Sequence, residues 1–176
     1  MMNHSDMQLV DLSLDGNERA FECLVERHYL SVYGLSYRWC RLKEDAEEIT
    51  QDVFVKLARK LASFNRKSSF RTWLYRMVIN TAKDFTRKNA TRRSYEAEFA
   101  KEAPDHAGDT PLAVIQTQAI YTALDKLPDR QKAALMLVMT EGMNHREAAA
   151  VLGCSETTIS WRIHQARKKL KGIISG

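Results

Sequence analysis

A chain of 176 residues has room for one or two small domains with modest cores. Its formal net charge is +5 and its sequence pI about 9.2, which favours a polyanionic partner over a basic one. No apolar run approaches the roughly 20 residues of a membrane span, and the polar, acidic start MMNHSDMQLVDLSLDGN does not read as a secretory leader. Cys23, Cys40 and Cys154 are odd in number and far apart, the pattern of reduced thiols in a cytoplasmic protein.

Almost the whole chain reads as helix, and no segment alternates convincingly as a strand. A short helix is predicted over 6–14, stopped by Asp15-Gly16-Asn17. The next, over 18–40, places Phe21, Leu24, Val25, His28, Leu35 and Trp39 on its inner side. A third, over 44–62, buries Ala46, Ile49, Val53, Leu57 and Leu61. After the polar break Asn65–Ser69, a fourth over 69–88 repeats Phe70, Trp73, Leu74, Met77, Val78, Thr81 and Phe85 at near-heptad spacing. Residues 94–112 then hold two of the three prolines and few large apolar groups, the composition of a linker. Helices over 113–126 and 129–141 follow, the second ended by Gly142.

The last segment is the most specific. Asn144-His145-Arg146-Glu147 is a capping box that opens a short helix with Ala148, Ala149, Val151 and Leu152 inside, and Gly153 closes it. Ser155 then N-caps a longer helix whose apolar stripe is Ile159, Ile163, Ala166 and Leu170. At 100° per residue Trp161 lies nearly opposite that stripe, beside Thr157, His164, Gln165 and Lys168. Helix, tight turn and longer basic helix is the helix-turn-helix pattern, whose second helix enters the major groove of DNA. An ordinary helical hairpin is the competing reading. It leaves the small alanines, the turn glycine and the basic second helix as coincidence.

Charge is sorted along the chain. From Lys56 to Arg93 there are twelve Lys or Arg residues and one acid, Asp84; Glu44–Asp52 carries five acids; nothing acidic follows Glu156. On the third helix Glu47, Glu48, Gln51 and Asp52 lie off the apolar stripe as an acidic ridge, either plain solvated surface or a docking face for a basic partner. On the fourth, Arg71, Thr72, Tyr75, Arg76, Ile79, Asn80 and Lys83 fall outside the expected stripe. Cations beside an exposed tyrosine and an asparagine suit single-stranded DNA, with phosphates held, a base stacked and an edge read. Trp73 sits on the stripe and reads as core.

These residues resemble a known family. The runs DAEEITQDVFVKLARKLASF and SSFRTWLYRMVINTAKDFTRK resemble region 2 of bacterial RNA polymerase sigma factors, and LDKLPDRQKAALMLVMTEGMNHREAAAVLGCSETTISWRIHQARKKL resembles region 4. Two blocks in this order, covering nearly the whole chain, are the pattern of the extracytoplasmic-function (ECF) group of the sigma-70 family. The resemblance implies an all-α fold of two small helical domains: region 2 over 1–93, a linker over 94–112 and region 4 over 113–176. It implies that Glu47, Glu48, Gln51 and Asp52 dock on the clamp helices of the largest polymerase subunit, and that region 4 meets the flap of the second subunit. Asn65, Arg66, Lys67, Ser68 and Ser69, with Arg71, Tyr75, Arg76, Asn80 and Lys83, would capture a flipped base of the −10 element and hold the melted strand. Glu156, Thr157, Thr158, Ser160, Trp161, Arg162, His164, Gln165 and Lys168 would read the −35 element. An anti-sigma factor is an implied partner. No cofactor, metal or membrane insertion is implied.

Three departures from the family's habit stand out. Ala58 stands where Trp is common, Ser160-Trp161 where a cation and a serine usually face the DNA, and Gln165 where Arg is frequent. Losing those cations removes the usual bidentate contact to guanine; Trp161 is expected to pack on sugar or a thymine methyl, and Gln165 to read adenine. A free-standing regulator with the same helix-turn-helix is the main alternative, but it needs neither the acidic ridge nor the basic fourth helix. An enzyme is disfavoured: His4, His28, His106, His145 and His164 form no HExxH pair, and no Cys/His spacing suits zinc.

Overall fold

The computed structural model describes residues 4–96 and 123–174, and among them every regular element is helical. The chain divides into two units, residues 1–91 and 92–176. The first contains α1 (Asp6–Leu14), α2 (Glu18–Cys40), α3 (Lys43–Lys60), a 3-10 turn at Leu61–Ser63 and all but the last residues of α4 (Phe70–Glu96).

Local chemistry sets the helix ends. Ser5 and Gln8 form a capping box on α1, and the Asn17 side chain accepts from the Ala20 N–H at 3.1 Å to start α2. Arg41 ends α2 in the left-handed region at φ 67°, its N–H donating to the Tyr37 carbonyl at 2.8 Å. No side chain caps α3, but Glu44 and Asp45 in its first turn and Arg59 and Lys60 in its last follow the helix dipole.

The predicted stripe of α3 is fully inside: Ala46, Ile49, Val53, Leu57 and Leu61 are all buried. They pack against the inner side of α2, which consists of Ala20, Leu24, His28, Val32, Leu35, Ser36 and Trp39, while α1, with Leu9 and Val10 buried, packs on α2 and the 3-10 turn. Phe21 and Val25, expected inside, are only half-buried.

Two expectations for α4 fail. It does not end near residue 88 but continues to Glu96, because residues 87–96 contain neither glycine nor proline to stop it. Residues 94–96, expected as linker, are therefore helical; the remainder of that linker lies outside the described residues. So does the helix expected over 113–126, apart from a helical turn at 123–125. The buried face of α4 is also broader than a heptad stripe and is rotated from it. Tyr75 and Ile79, expected outside, are 1 % exposed, and Thr72 is buried as well; Trp73, Met77 and Phe85 are only half-buried. The reason is that α4 lies against two helices at once. Trp39 of α2 donates its indole N–H to the Thr86 hydroxyl at 3.0 Å, and Lys56 of α3 donates to the Thr81 hydroxyl at 3.0 Å.

His28 joins three elements. Its Nε2 lies 3.0 Å from Oδ2 of Asp6 on α1, and its ring sits 5.3 Å from that of Phe70 on α4. Arg27 grips the other Asp6 oxygen at 2.7 Å. Burial lowers the His28 pKa below its ordinary value and outweighs the raising effect of Asp6.

The second unit holds α5 (Asp129–Met139), α6 (His145–Leu152) and α7 (Glu156–Ile174). Pro128 precedes α5, which is buried on all sides through Ala133–Leu137. This helix stops at Met139 rather than 141: Thr140 caps it, its hydroxyl donating to the Met136 carbonyl at 2.7 Å, and Gly142 turns the chain at φ 65°. Ile159, Ile163 and Ala166 bury α7 against α5 and α6, with Leu170 half-buried at the end of the stripe.

A histidine whose folded pKa is depressed contributes stability that is complete above its unfolded pKa, about 6.5, and is lost as pH falls toward the folded value. The first unit should therefore weaken below that pH, and His28→Gln should flatten the acid-side loss. Urea unfolding at several pH values in a Trp161→Phe background reads this, since the remaining tryptophans, Trp39 and Trp73, both lie in the first unit.

Candidate nucleic-acid interface

On α3, Glu47, Glu48, Gln51 and Asp52 are all exposed, opposite the buried stripe. Lys43 approaches Glu47 at 3.9 Å; such an exposed pair contributes little and leaves the ridge acidic. Beside the ridge runs a feature that periodicity of apolar residues does not report. Tyr29, Tyr33 and Tyr37 of α2 stack at i, i+4 and i+8 with ring centroids 6.3 and 6.2 Å apart, and Tyr29 also stacks on Phe54 of α3 at 6.2 Å. Desolvation first, then the Glu47 charge, raises the Tyr33 phenol pKa, which places the ladder next to the acids. Leu30, at 79 % exposed, borders it on α2. The signal in the sequence is the spacing of the tyrosines, four apart.

The loop between the 3-10 turn and α4 is built by its own side chains. Asn65 Oδ1 accepts from the Lys67 N–H at 3.1 Å, and the Ser69 hydroxyl caps α4 by accepting from the Thr72 N–H at 3.1 Å. Arg66 takes φ 60°, a conformation that costs a residue with a Cβ roughly 1–2 kcal/mol. Its guanidinium is ion-paired with Asp11 of α1. Asn65, Arg66, Lys67 and Ser69 are exposed and Ser68 is half-buried.

The expected platform on α4 is not where it was sought. Tyr75 is buried, with the exposed Arg71 guanidinium 5.0 Å over its ring. At 100° per residue, one row instead collects Trp73, Arg76, Asn80 and Lys83. Arg76 and Asn80 are exposed, and Trp73 and Lys83 are half-buried. Trp73 leans on Phe64 at 5.2 Å and keeps part of its surface open. The aromatic group on the cationic face of α4 is therefore Trp73.

In the second unit the turn forms as the motif predicts. Asn144 and Glu147 cap reciprocally at 2.9 Å, Gly153 takes φ 61°, and the Ser155 hydroxyl accepts from the Thr158 N–H at 3.2 Å. The outward row of α7 is Thr157, Trp161, His164 and Lys168, all exposed, with Trp161 at 57 %. Glu156 and Ser160 are exposed too, while Thr158, Arg162 and Gln165 are half-buried. The Ser160 hydroxyl is engaged within the fold, 2.9 Å from His145 Nδ1 of α6 and donating to the Glu156 carbonyl at 3.1 Å. Arg162 lies back over the turn, 3.4 Å from the Cys154 sulfur.

Comparisons with known proteins match both units. The sigma-70 region 2 profile matches residues 24–92, and the sigma-70 region 4 profile matches residues 117–170. The chain is 30 % identical to the RNA polymerase sigma-H factor of Pseudomonas aeruginosa, covering 97 % of this chain and 94 % of that one. The chain belongs to the sigma-70 family, in its ECF group. It is 29 % identical to the ECF RNA polymerase sigma-E factor of Haemophilus influenzae over 97 % of this chain and 95 % of that one. The structure of CnrH in complex with the cytosolic domain of CnrY matches with a TM-score of 0.73 at 28 % identity, covering 97 % of each chain. As a sigma factor the protein is a non-catalytic subunit that gives RNA polymerase its promoter specificity and starts transcription, and the free-standing regulator is set aside.

The capping box gives a direct test of how this sigma factor holds its helix-turn-helix. Asn144→Ala removes the acceptor for the Glu147 N–H and should destabilise the second unit by about 1 kcal/mol. Amide exchange in α6 and α7 measures it, with exchange in α2 as the unaffected reference.

Proposed function

We propose that the two units divide promoter recognition between them and that the faces described above carry the parts. The acidic row Glu47, Glu48, Gln51 and Asp52, extended by the tyrosine ladder, docks on the clamp helices of the largest polymerase subunit. The Asn65–Ser69 loop and the row Trp73, Arg76, Asn80 and Lys83 take the melted −10 strand, with Trp73 replacing Tyr75 as the stacking surface. The outward row of α7 reads the −35 duplex, and region 4 engages the flap of the second subunit. In this division region 2 spans 1–93 and region 4 spans 113–176, and the protein works alongside the polymerase in the cytoplasm. Among the described residues no helix is long and apolar enough to cross a membrane.

One observation carries the reading: a single small helical unit keeps an acidic–aromatic face on α2 and α3 and a cationic–aromatic face on α4. A duplex reader alone needs neither. An anti-sigma factor as a regulating partner is supported by the solved complex of CnrH with a domain of a second protein, CnrY.

Reversing the acidic row with Glu47→Lys, Glu48→Lys and Asp52→Lys should weaken binding to core polymerase tenfold or more, about 1.4 kcal/mol in total, with no loss of fold. Pull-down of core polymerase at moderate salt measures this, and undiminished capture would defeat the docking assignment. Trp161→Ala should alter the −35 bases selected from a randomised duplex while leaving core binding intact. An unchanged selection profile would exclude Trp161 from base readout.

A further inference from the structure

The Asn65–Ser69 loop has a left-handed residue at its bend that is tied to a distant part of the first unit. Arg66 sits at φ 60°, where a residue with a Cβ persists only when its surroundings hold it there. Within the loop the Asn65 side chain spans Arg66 to accept from the Lys67 N–H, closing the turn, and Ser69 accepts from the Thr72 N–H. The contact to the Arg66 side chain comes from Asp11, 55 residues earlier in the chain.

Asp11 is well placed to act as a strut. It stands on α1, whose Leu9 and Val10 are fully buried, and α1 packs against α2 and the 3-10 turn that leads into the loop. At the other end of the same helix, Asp6 is gripped by Arg27 at 2.7 Å and contacts His28 at 3.0 Å. The carboxylate of Asp11 is therefore carried on a helix anchored at both its apolar face and its N-terminus. Arg66 and Asp11 are each about half exposed, their side chains at 48 %, so the pair stands at the rim where an incoming strand would pass.

We propose that Asp11 is a positioning residue for −10 recognition: by pairing with Arg66 it steadies the left-handed bend that the Asn65 side chain closes, and so shapes the base-capturing loop. This inference rests on the assignment of Asn65–Ser69 to −10 capture. It has a second consequence. The Arg66 charge is already answered by a carboxylate, so Lys67 is the more available phosphate-binding cation of the loop. Removing Asp11 has two separable effects: it exposes a cation, which favours any single strand, and it frees the bend, which costs discrimination between bases.

The test uses full-length sigma factor assembled with core RNA polymerase and a single-stranded oligonucleotide library randomised over the −10 window, read by sequencing the retained fraction. Asp11→Ala should lower the preference for the favoured base by about fivefold while overall retention of the library holds or rises. Asp11→Glu, which keeps the carboxylate, should retain the preference. In an Arg66→Gly background Asp11→Ala should change the preference no further, because glycine adopts φ 60° without a Cβ penalty. Asn65→Ala and Lys67→Ala are the controls on the loop itself. If these two lower the preference or retention and Asp11→Ala leaves the preference as in the parent, the strut is overturned. If neither loop variant has any effect, the −10 assignment of the loop fails instead. Equal loss of preference from Asp11→Ala in the parent and in the Arg66→Gly background would also overturn the coupling, and amide exchange in α1 confirms that each variant is folded.

Discussion

The packing of α4 against α2 and α3 at once is the constraint from which the first unit's surface follows. A helix lying on one neighbour buries about a third of its circumference. Here the buried set, from Phe70 at one edge through Tyr75 and Ala82 to Thr72 at the other, spans roughly 200° at 100° per residue. About 160° remains for solvent, and four side chains of that arc fall within roughly 80° of one another. Trp73, Arg76, Asn80 and Lys83 are neighbours for that reason. Their joint presence is a consequence of burying Tyr75 and Ile79, and it leaves Trp73 rather than Tyr75 partly open to solvent.

Electrostatics then decides what each face attracts. The acidic residues of α3 lie opposite its buried stripe, and Arg76 and Lys83 of α4 lie outside its buried arc, so each face can gather a partner of opposite sign. The exposed ion pairs contribute little to folding, whereas complementary charge across an interface governs encounter and specificity. The aromatic groups beside each face supply what charge does not. The tyrosine ladder offers area of low rotamer entropy to a protein surface, and the open part of Trp73 offers a stacking plane.

What was legible in the sequence was what depends on neighbours three or four residues away. The capping box at Asn144–Glu147, the turn at Gly153 and the α3 stripe all appear as read, because side-chain caps and helical period are local properties. The orientation of α4 was not legible: a heptad count assumes one neighbouring helix, and the second neighbour, announced by Lys56–Thr81, is a tertiary fact. The extent of α4 could have been read, since the absence of any stop signal before residue 96 is visible in the chain. At the site, the acidic ridge and the α7 row were found by periodicity. Tyr75 was misplaced with the rest of its helix. The Asp11–Arg66 pair was beyond reach, since no local pattern links residues 55 apart.

The two units also treat local consistency differently, and the difference follows their proposed tasks. In the helix-turn-helix every local preference agrees with the fold: the Asn144 cap is reciprocal, Gly142 and Gly153 occupy the left-handed positions, and Ser155 opens α7. Duplex DNA presents its grooves already formed, so a reader of duplex gains from a surface that does not have to rearrange. The left-handed positions of the first unit are mixed: one is a glycine, Gly16, but Arg41 and Arg66 hold the other two. Arg41 closes a helix, where the cost is offset by its bond to the Tyr37 carbonyl. Arg66 lies in the loop that, on the proposed reading, receives a base only after the duplex has opened. Capturing an unstacked base must return a few kcal/mol of unpairing energy. A loop already bent into its receiving shape returns more of it, because less ordering remains to be done on binding; the Asn65 turn makes that bend, and on the proposal above a long-range carboxylate steadies it before DNA arrives.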